Sequence, residues 1–248
     1  MEVFDSEVNF ECQLVNPKNS PFLRMAGLGC LVIATLMTLW QSVFSGVPDL
    51  TEEQLYGLVV TNNPRNDEIV RCSFDEHVLY IQVRRDWAPL GAARFVELVK
   101  DGHFDEMALF RGLDNFLVQF GLASTTTQRN KWRGQEIQDD PHNDVPFKRG
   151  IMSYAGSGPG SRGCQMFITL TDRKTHLGQE PWEVPFAEVV YGKENLDYIY
   201  TKYGDQVNQQ EIWRKGYEYL KENFPELTYL KECRMVEAPQ IEISKSDL

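Results

Sequence analysis

The chain has 248 residues, 42% of them hydrophobic, and a net charge of −11. That length suits one domain, or one domain with an appendage, and the apolar content is enough for a real core. The acidity argues against nucleic acid as a partner, because phosphate binding needs clustered Lys and Arg.

Residues 1–24 are mixed and polar and read as a cytosolic tail. The 24 residues between Arg24 and Asp49 carry no charge, and their centre, Gly27 to Phe44, reads GLGCLVIATLMTLWQSVF. A run of about 20 apolar residues spans a bilayer. The alternative is a cleaved signal peptide, with Ser45-Gly46 as a cleavage-site mimic. The long acidic leader and a run beyond the usual signal core favour an uncleaved signal-anchor helix over 25–48. Lys18 and Arg24 precede it, while Asp49, Glu52 and Glu53 follow, so the positive-inside tendency puts the N-terminus in the cytosol. That predicts a single-pass type II protein of the secretory pathway, with its domain in the lumen of the endoplasmic reticulum or Golgi. Residues 49–66 read as a stem: Thr51-Glu52-Glu53-Gln54 fits a capping box, and Asn62 to Asp67 is a turn-rich linker.

The domain is expected over 67–240, with 241–248 as a tail. Ile69 to Phe74 and Val78 to Val83, split by Asp75-Glu76-His77, predict a hairpin. Pro89 suits the first turn of a helix, Gly102 suits its C-terminal cap, and Leu90, Ala93, Phe95, Val96, Leu98 and Val99 give its buried stripe. Strands are expected near 108–113, 116–121, 150–155, 164–170, 184–191 and 229–237. Helices are expected near 195–203 and 210–223. Many strands with few helices suggest a mainly β fold, a closed antiparallel barrel. The five cysteines (12, 30, 72, 164, 233) lack C-x-x-C spacing, and the four histidines are scattered, so no metal site is expected.

Two stretches carry the chemistry. Gly150 to Leu170 reads GIMSYAGSGPGSRGCQMFITL: strand, compact glycine-rich loop, strand. A phosphate-binding loop needs Gly-Lys-Ser/Thr opening a helix, which is absent; a loop that only turns the chain is the plainer alternative. Ala108 to Gly121 reads ALFRGLDNFLVQFG. It sets one arginine among apolar residues, turns at Asp114-Asn115, and places Leu117 and Gln119 on one face of a strand.

Together these stretches resemble the cyclophilin-type peptidyl-prolyl isomerases. That family carries Phe-His-Arg, a turn and Phe-Met-x-Gln-Gly, and then Gly-x-x-Ser-x-Ala-x-x-Gly-Pro-x-x-x-Gly-Ser-Gln-Phe-Phe-Ile. The likeness covers about Asp67 to Ala238. It implies a closed eight-stranded antiparallel barrel capped by helices, acting on proline-containing polypeptides without a cofactor. By the same resemblance Arg111 is the catalytic donor. Phe116, Leu117, Phe167 and Leu177 line the proline pocket, Gln119 and Gln165 orient the arginine and substrate, and Ala155 and Gly156 present backbone to the residues before the proline. The departures are Phe110 for the usual histidine, Gly156 for asparagine, Cys164 for serine, and His176 where many members have a tryptophan that contacts cyclosporin. Segment 178–186 is longer by about two residues and lacks the family's pocket histidine. Weak cyclosporin binding is therefore expected. A membrane-anchored isomerase is the favoured reading, and a catalytically weak proline-peptide-binding module on the same fold is the alternative. Cys72 and Cys233, on strands at the two ends of the domain, are candidates for pairing, with two buried free thiols as the other outcome.

Overall fold

The computed structural model describes residues 50–58 and 67–237. The expected cytosolic tail, anchor helix and C-terminal tail lie outside these residues. Among those described, no helix is long and apolar enough to cross a membrane.

Helix α1 (Glu52–Tyr56) starts where the capping box places it: Gln54 N donates to Thr51 Oγ1 at 3.2 Å, and Thr51 N donates back to Gln54 Oε1 at 3.0 Å. This part of the expected stem is docked rather than free. Leu50, Leu55 and Leu58 pack on Ile69, Val78 and Tyr80.

Nine strands form one antiparallel sheet: β1 (Ile69–Phe74), β2 (His77–Val83), β3 (Met107–Ala108), β4 (Arg111–Leu113), β5 (Leu117–Phe120), β6 (Ile151–Tyr154), β7 (Met166–Thr169), β8 (Ala187–Tyr191) and β9 (Tyr229–Met235), in the order β3-β9-β1-β2-β8-β6-β7-β5-β4. The expectation of a closed eight-stranded barrel is corrected on both counts. The predicted strand near 108–113 divides, and its halves lie at opposite ends of the ladder, with no hydrogen-bonded pairing between them. The reason is a change of partner. Met107 and Leu109 turn into the main core, Ala108 and Phe110 into a second one. This alternation keeps the segment extended, while its hydrogen bonds pass from β9 to β5. The sheet therefore curls until the two-residue step Leu109-Phe110 joins its ends.

The β1–β9 register sets Cys72 opposite Cys233 with Cα atoms 4.1 Å apart, and the two form a disulfide. The pairing expected as one of two outcomes is the one present.

Helix α2 (Pro89–Lys100) has Pro at its first turn and ends before Gly102, whose φ of +65° suits glycine. Phe95, Val96, Leu98 and Val99 are buried as expected, but Leu90 is 46% exposed; Gly91 and Ala92 face inward in its place. Helix α3 (Thr126–Trp132) was not foreseen, since TTQRNKW has no apolar period. A 3-10 turn (Lys193–Tyr198) replaces the helix expected at 195–203. The helix expected over 210–223 is two, α4 (Gln209–Lys215) and α5 (Tyr217–Asn223), broken at Gly216 with φ +74° and ψ −158°. Ile212, Tyr217 and Leu220 from these helices fill the second core with Ala108 and Phe110.

Candidate active site

Strand parity builds the site. Across β4, β5, β7 and β6, Gly112, Val118, Ile168 and Met152 are register partners, the last three in the core. The next row, Arg111, Gln119, Phe167 and Ser153, lies on the opposite face. Leu117 shares that face with Gln119.

Arg111 Nη1 donates to Gln119 Oε1 at 3.3 Å, and Gln119 Nε2 donates to Gln165 Oε1 at 2.9 Å. The Gln119 amide thus has one orientation, with its oxygen to the guanidinium. Ala155 N donates to Gln165 O at 3.0 Å, which ties the start of the glycine-rich loop to β7. Gly121, just past β5, needs its missing side chain: a Cβ there would fall 2.1 Å from Cys164 O, and its φ is +120°. Its carbonyl accepts from buried His103 Nε2 at 3.0 Å.

The loop itself is anchored from below by Arg162, one of the largest fully buried side chains. Its Nη1 lies 2.9 Å from Asp140 Oδ2, and Nε approaches Asp139 Oδ1 at 3.3 Å. Asp140 also accepts from Leu90 N and Gly91 N at 2.9 and 2.8 Å, supplying the cap that Ala88 cannot give α2. Cys164 is buried, and desolvation pushes its thiol up to about 11, so it packs as a small residue and is no nucleophile.

Gln119, Ala155, Gly156 and Gln165 meet along one cleft of about 380 Å³, which continues past Trp132 and Trp213. Phe167 is 3% exposed because Phe147 stacks on it, with centroids 5.9 Å apart and planes 24° from parallel. Gly156 lies under Trp182: a Cβ would come within 2.6 Å of the indole, which accounts for glycine here in place of asparagine. Phe116 is half-buried in the turn before β5. Leu177 is half-buried and His176 exposed on the segment after β7, and neither these two nor Arg111, Phe116, Leu117 and Phe167 line the cleft. Phe147, Trp182, Trp132 and Trp213 are the aromatic neighbours that sequence reading missed. Each sits in a loop or short helix whose destination no local pattern encodes. Among the described residues, no three His, Cys, Asp or Glu gather to hold a metal ion.

The profile of the family described as cyclophilin type peptidyl-prolyl cis-trans isomerase/CLD matches residues 69–215, more than half of the chain. Peptidyl-prolyl cis-trans isomerase CYP65 of Arabidopsis thaliana is 28% identical over 155 residues, 61% of this chain and 25% of that protein. Peptidyl-prolyl isomerase CWC27 of Yarrowia lipolytica is 28% identical over 136 residues, 52% of this chain and 34% of that protein. This chain spans a quarter to a third of the length of these two relatives. The crystal structure of a Cryptosporidium parvum cyclophilin type isomerase superposes with a TM-score of 0.49 at 20% identity, over 70% of this chain and 99% of that one. By the family match over residues 69–215, this chain belongs to the cyclophilin-type peptidyl-prolyl cis-trans isomerases.

Proposed function

We propose that the domain accelerates rotation about X-Pro peptide bonds in polypeptide substrates, with Arg111 as the catalytic donor. Resonance gives the C–N bond its barrier of about 18–20 kcal/mol. At the twisted transition state that resonance is lost and the prolyl nitrogen becomes a better hydrogen-bond acceptor. A fixed cation aimed at it favours the twisted state over the planar one. The observation that carries this reading is the chain Arg111–Gln119–Gln165, which holds the guanidinium beside a substrate-sized cleft. Gln165 and the backbone of Ala155 and Gly156 take the residues before the proline; Leu117, Phe167, Phe116 and Leu177 serve the ring. Exchange NMR on a proline peptide is the test. Arg111→Ala lowers kcat/KM by about 10²–10³, the scale for one preorganised donor, and Arg111→Lys restores it only partly because an ammonium lacks the planar fork. Equal rates for wild type and a folded Arg111→Ala variant would sink the assignment.

The second reading, a proline-peptide-binding module with weak turnover, is favoured by Phe147. Its ring covers Phe167, where the proline ring has to pack. If this cover limits turnover, Phe147→Ala raises kcat/KM; if not, the rate stays the same or falls.

The 25–48 stretch supports a type II anchor with the domain in the secretory lumen, and the Cys72–Cys233 disulfide fits an oxidising compartment. Protease added to intact microsomes should spare the domain; digestion without detergent reverses the orientation. Cyclosporin affinity is low in this reading, since exposed His176 offers less apolar surface than tryptophan. Calorimetry should show His176→Trp binding more tightly than wild type.

A further inference from the structure

A second cleft, of about 410 Å³, opens between the start of α3 and the corner joining α4 to α5. Arg129 and Tyr229 line it together with Ser124, Thr126, Lys215 and Lys221. Arg129 is 3% exposed, yet its guanidinium meets only neutral acceptors: Ala123 O at 2.7 Å, Ser124 O at 2.9 Å and Thr126 Oγ1 at 3.0 Å. Arg162, the other buried arginine, has carboxylates against it; Arg129 has no ion pair among the described residues. A buried charge without a counter-charge is costly. Burial, the largest influence, pulls the Arg129 pKa down, while Tyr217 and Glu218 push it up.

Among the described residues the buried hydroxyl of Tyr229 has no hydrogen-bond partner, a second unmet group at the same place. The corner residue is Gly216, and a Cβ there would fall 3.0 Å from Glu218 Oε2 and 3.3 Å from Arg129 Nη2, so glycine leaves room between the carboxylate and the guanidinium. Two carboxylates, Glu106 and Glu218, also line the cleft, against three cations. Lys215 is shared with Glu211 at 3.1 Å.

We propose that this cleft binds a phosphate monoester, with Arg129, Lys221 and the Tyr229 hydroxyl as its donors. A guanidinium fork, an ammonium and hydroxyl groups match the oxygens of a tetrahedral dianion. The dianion supplies the direct ion pair that Arg129 lacks among the described residues. The cleft is separate from the Arg111 site, sharing none of its lining.

The test is calorimetry on the full chain with inorganic phosphate, a phosphoserine peptide and the same peptide unphosphorylated. Phosphate and phosphopeptide bind, and the unphosphorylated peptide does not compete. A phosphopeptide tighter than phosphate supports the monoester on a modified protein side chain; affinity no better than that of free phosphate overturns the monoester assignment. Tyr229→Phe removes an oxygen that nothing in the fold uses, so the melting temperature holds while phosphate binding weakens roughly tenfold, the scale of a hydrogen bond to a charged group. Glu218→Gln removes a repelling carboxylate and tightens binding. No saturation with millimolar phosphate, or affinities unchanged in both variants, overturns the proposal.

Discussion

Arg162 and Asp140 form an ion pair sealed from water, and through it the glycine-rich loop is tied to the first turn of α2. The carboxylate serves both partners: one oxygen meets the guanidinium and Gly91 N, the other meets Leu90 N. Removing one partner of a buried pair costs about 3–5 kcal/mol, because the other charge is left stranded. Asp139 remains near Arg162 Nε at 3.3 Å, so Asp140→Asn falls at the lower end, about 3 kcal/mol. Urea unfolding followed by circular dichroism measures it, and a loss well below about 1 kcal/mol contradicts the anchoring role.

Gly156 and Trp182 compete for the same space. Gly156→Ala puts a methyl within 2.6 Å of the indole, and such overpacking costs about 1–3 kcal/mol. Trp182→Ala makes room for it. In a double-mutant cycle the pair should lose less than the sum of the single changes. Strict additivity would show that the two do not touch in solution.

The disulfide closes a loop between residues 161 apart in sequence. Loss of a native disulfide typically costs about 2–5 kcal/mol. Cys233→Ser, or wild type in strong reductant, should therefore unfold at lower urea than the oxidised protein. Coincident curves with and without reductant contradict this.

His103 sets a pH dependence. Burial holds its imidazole below the ordinary value of 6.5; the hydrogen bond to Gly121 and the charge of Asp101 pull it up, and Lys131 pushes it down. The unfolded chain thus takes up a proton near pH 6.5 that the folded chain refuses. This contribution is complete above 6.5 and is lost as pH falls toward the depressed folded value, by at most about 1.4 kcal/mol per pH unit. His103→Gln keeps an N–H donor for Gly121 and removes the titration. Between pH 7 and about 5.5, wild type should lose more stability than His103→Gln; parallel profiles rule this out.

The parts legible in the sequence were those whose signal is local. Arg111, Gln119 and Phe167 lie on short strands and Gln165 just before one; alternation put Leu117 and Gln119 on one face, while Arg111, Gln165 and Phe167 were read from the likeness of two motifs to a family, each motif contiguous in sequence. The β1–β2 hairpin and the Thr51 capping box were readable for the same reason. Arg162 was visible only as one polar residue in a small-residue loop, because its role depends on Asp140 arriving from 22 positions away. Phe147 and Trp182 were hidden likewise by long-range chain paths. The split at Leu109-Phe110 escaped notice since a strand that changes partner keeps the same alternation. His176 was placed by likeness to a family position, and the structure leaves it in solvent.

The curled sheet has a consequence for how the domain meets extended polypeptide. A long, bare strand edge is a template on which extended polypeptides add and aggregate. Here the outermost strands are two and three residues long, the backbone itself turns the corner between them, and Gly112 of β4 is bridged to Gly204. An extended polypeptide that meets this domain finds little exposed ladder to extend, so it is not recruited as a tenth strand.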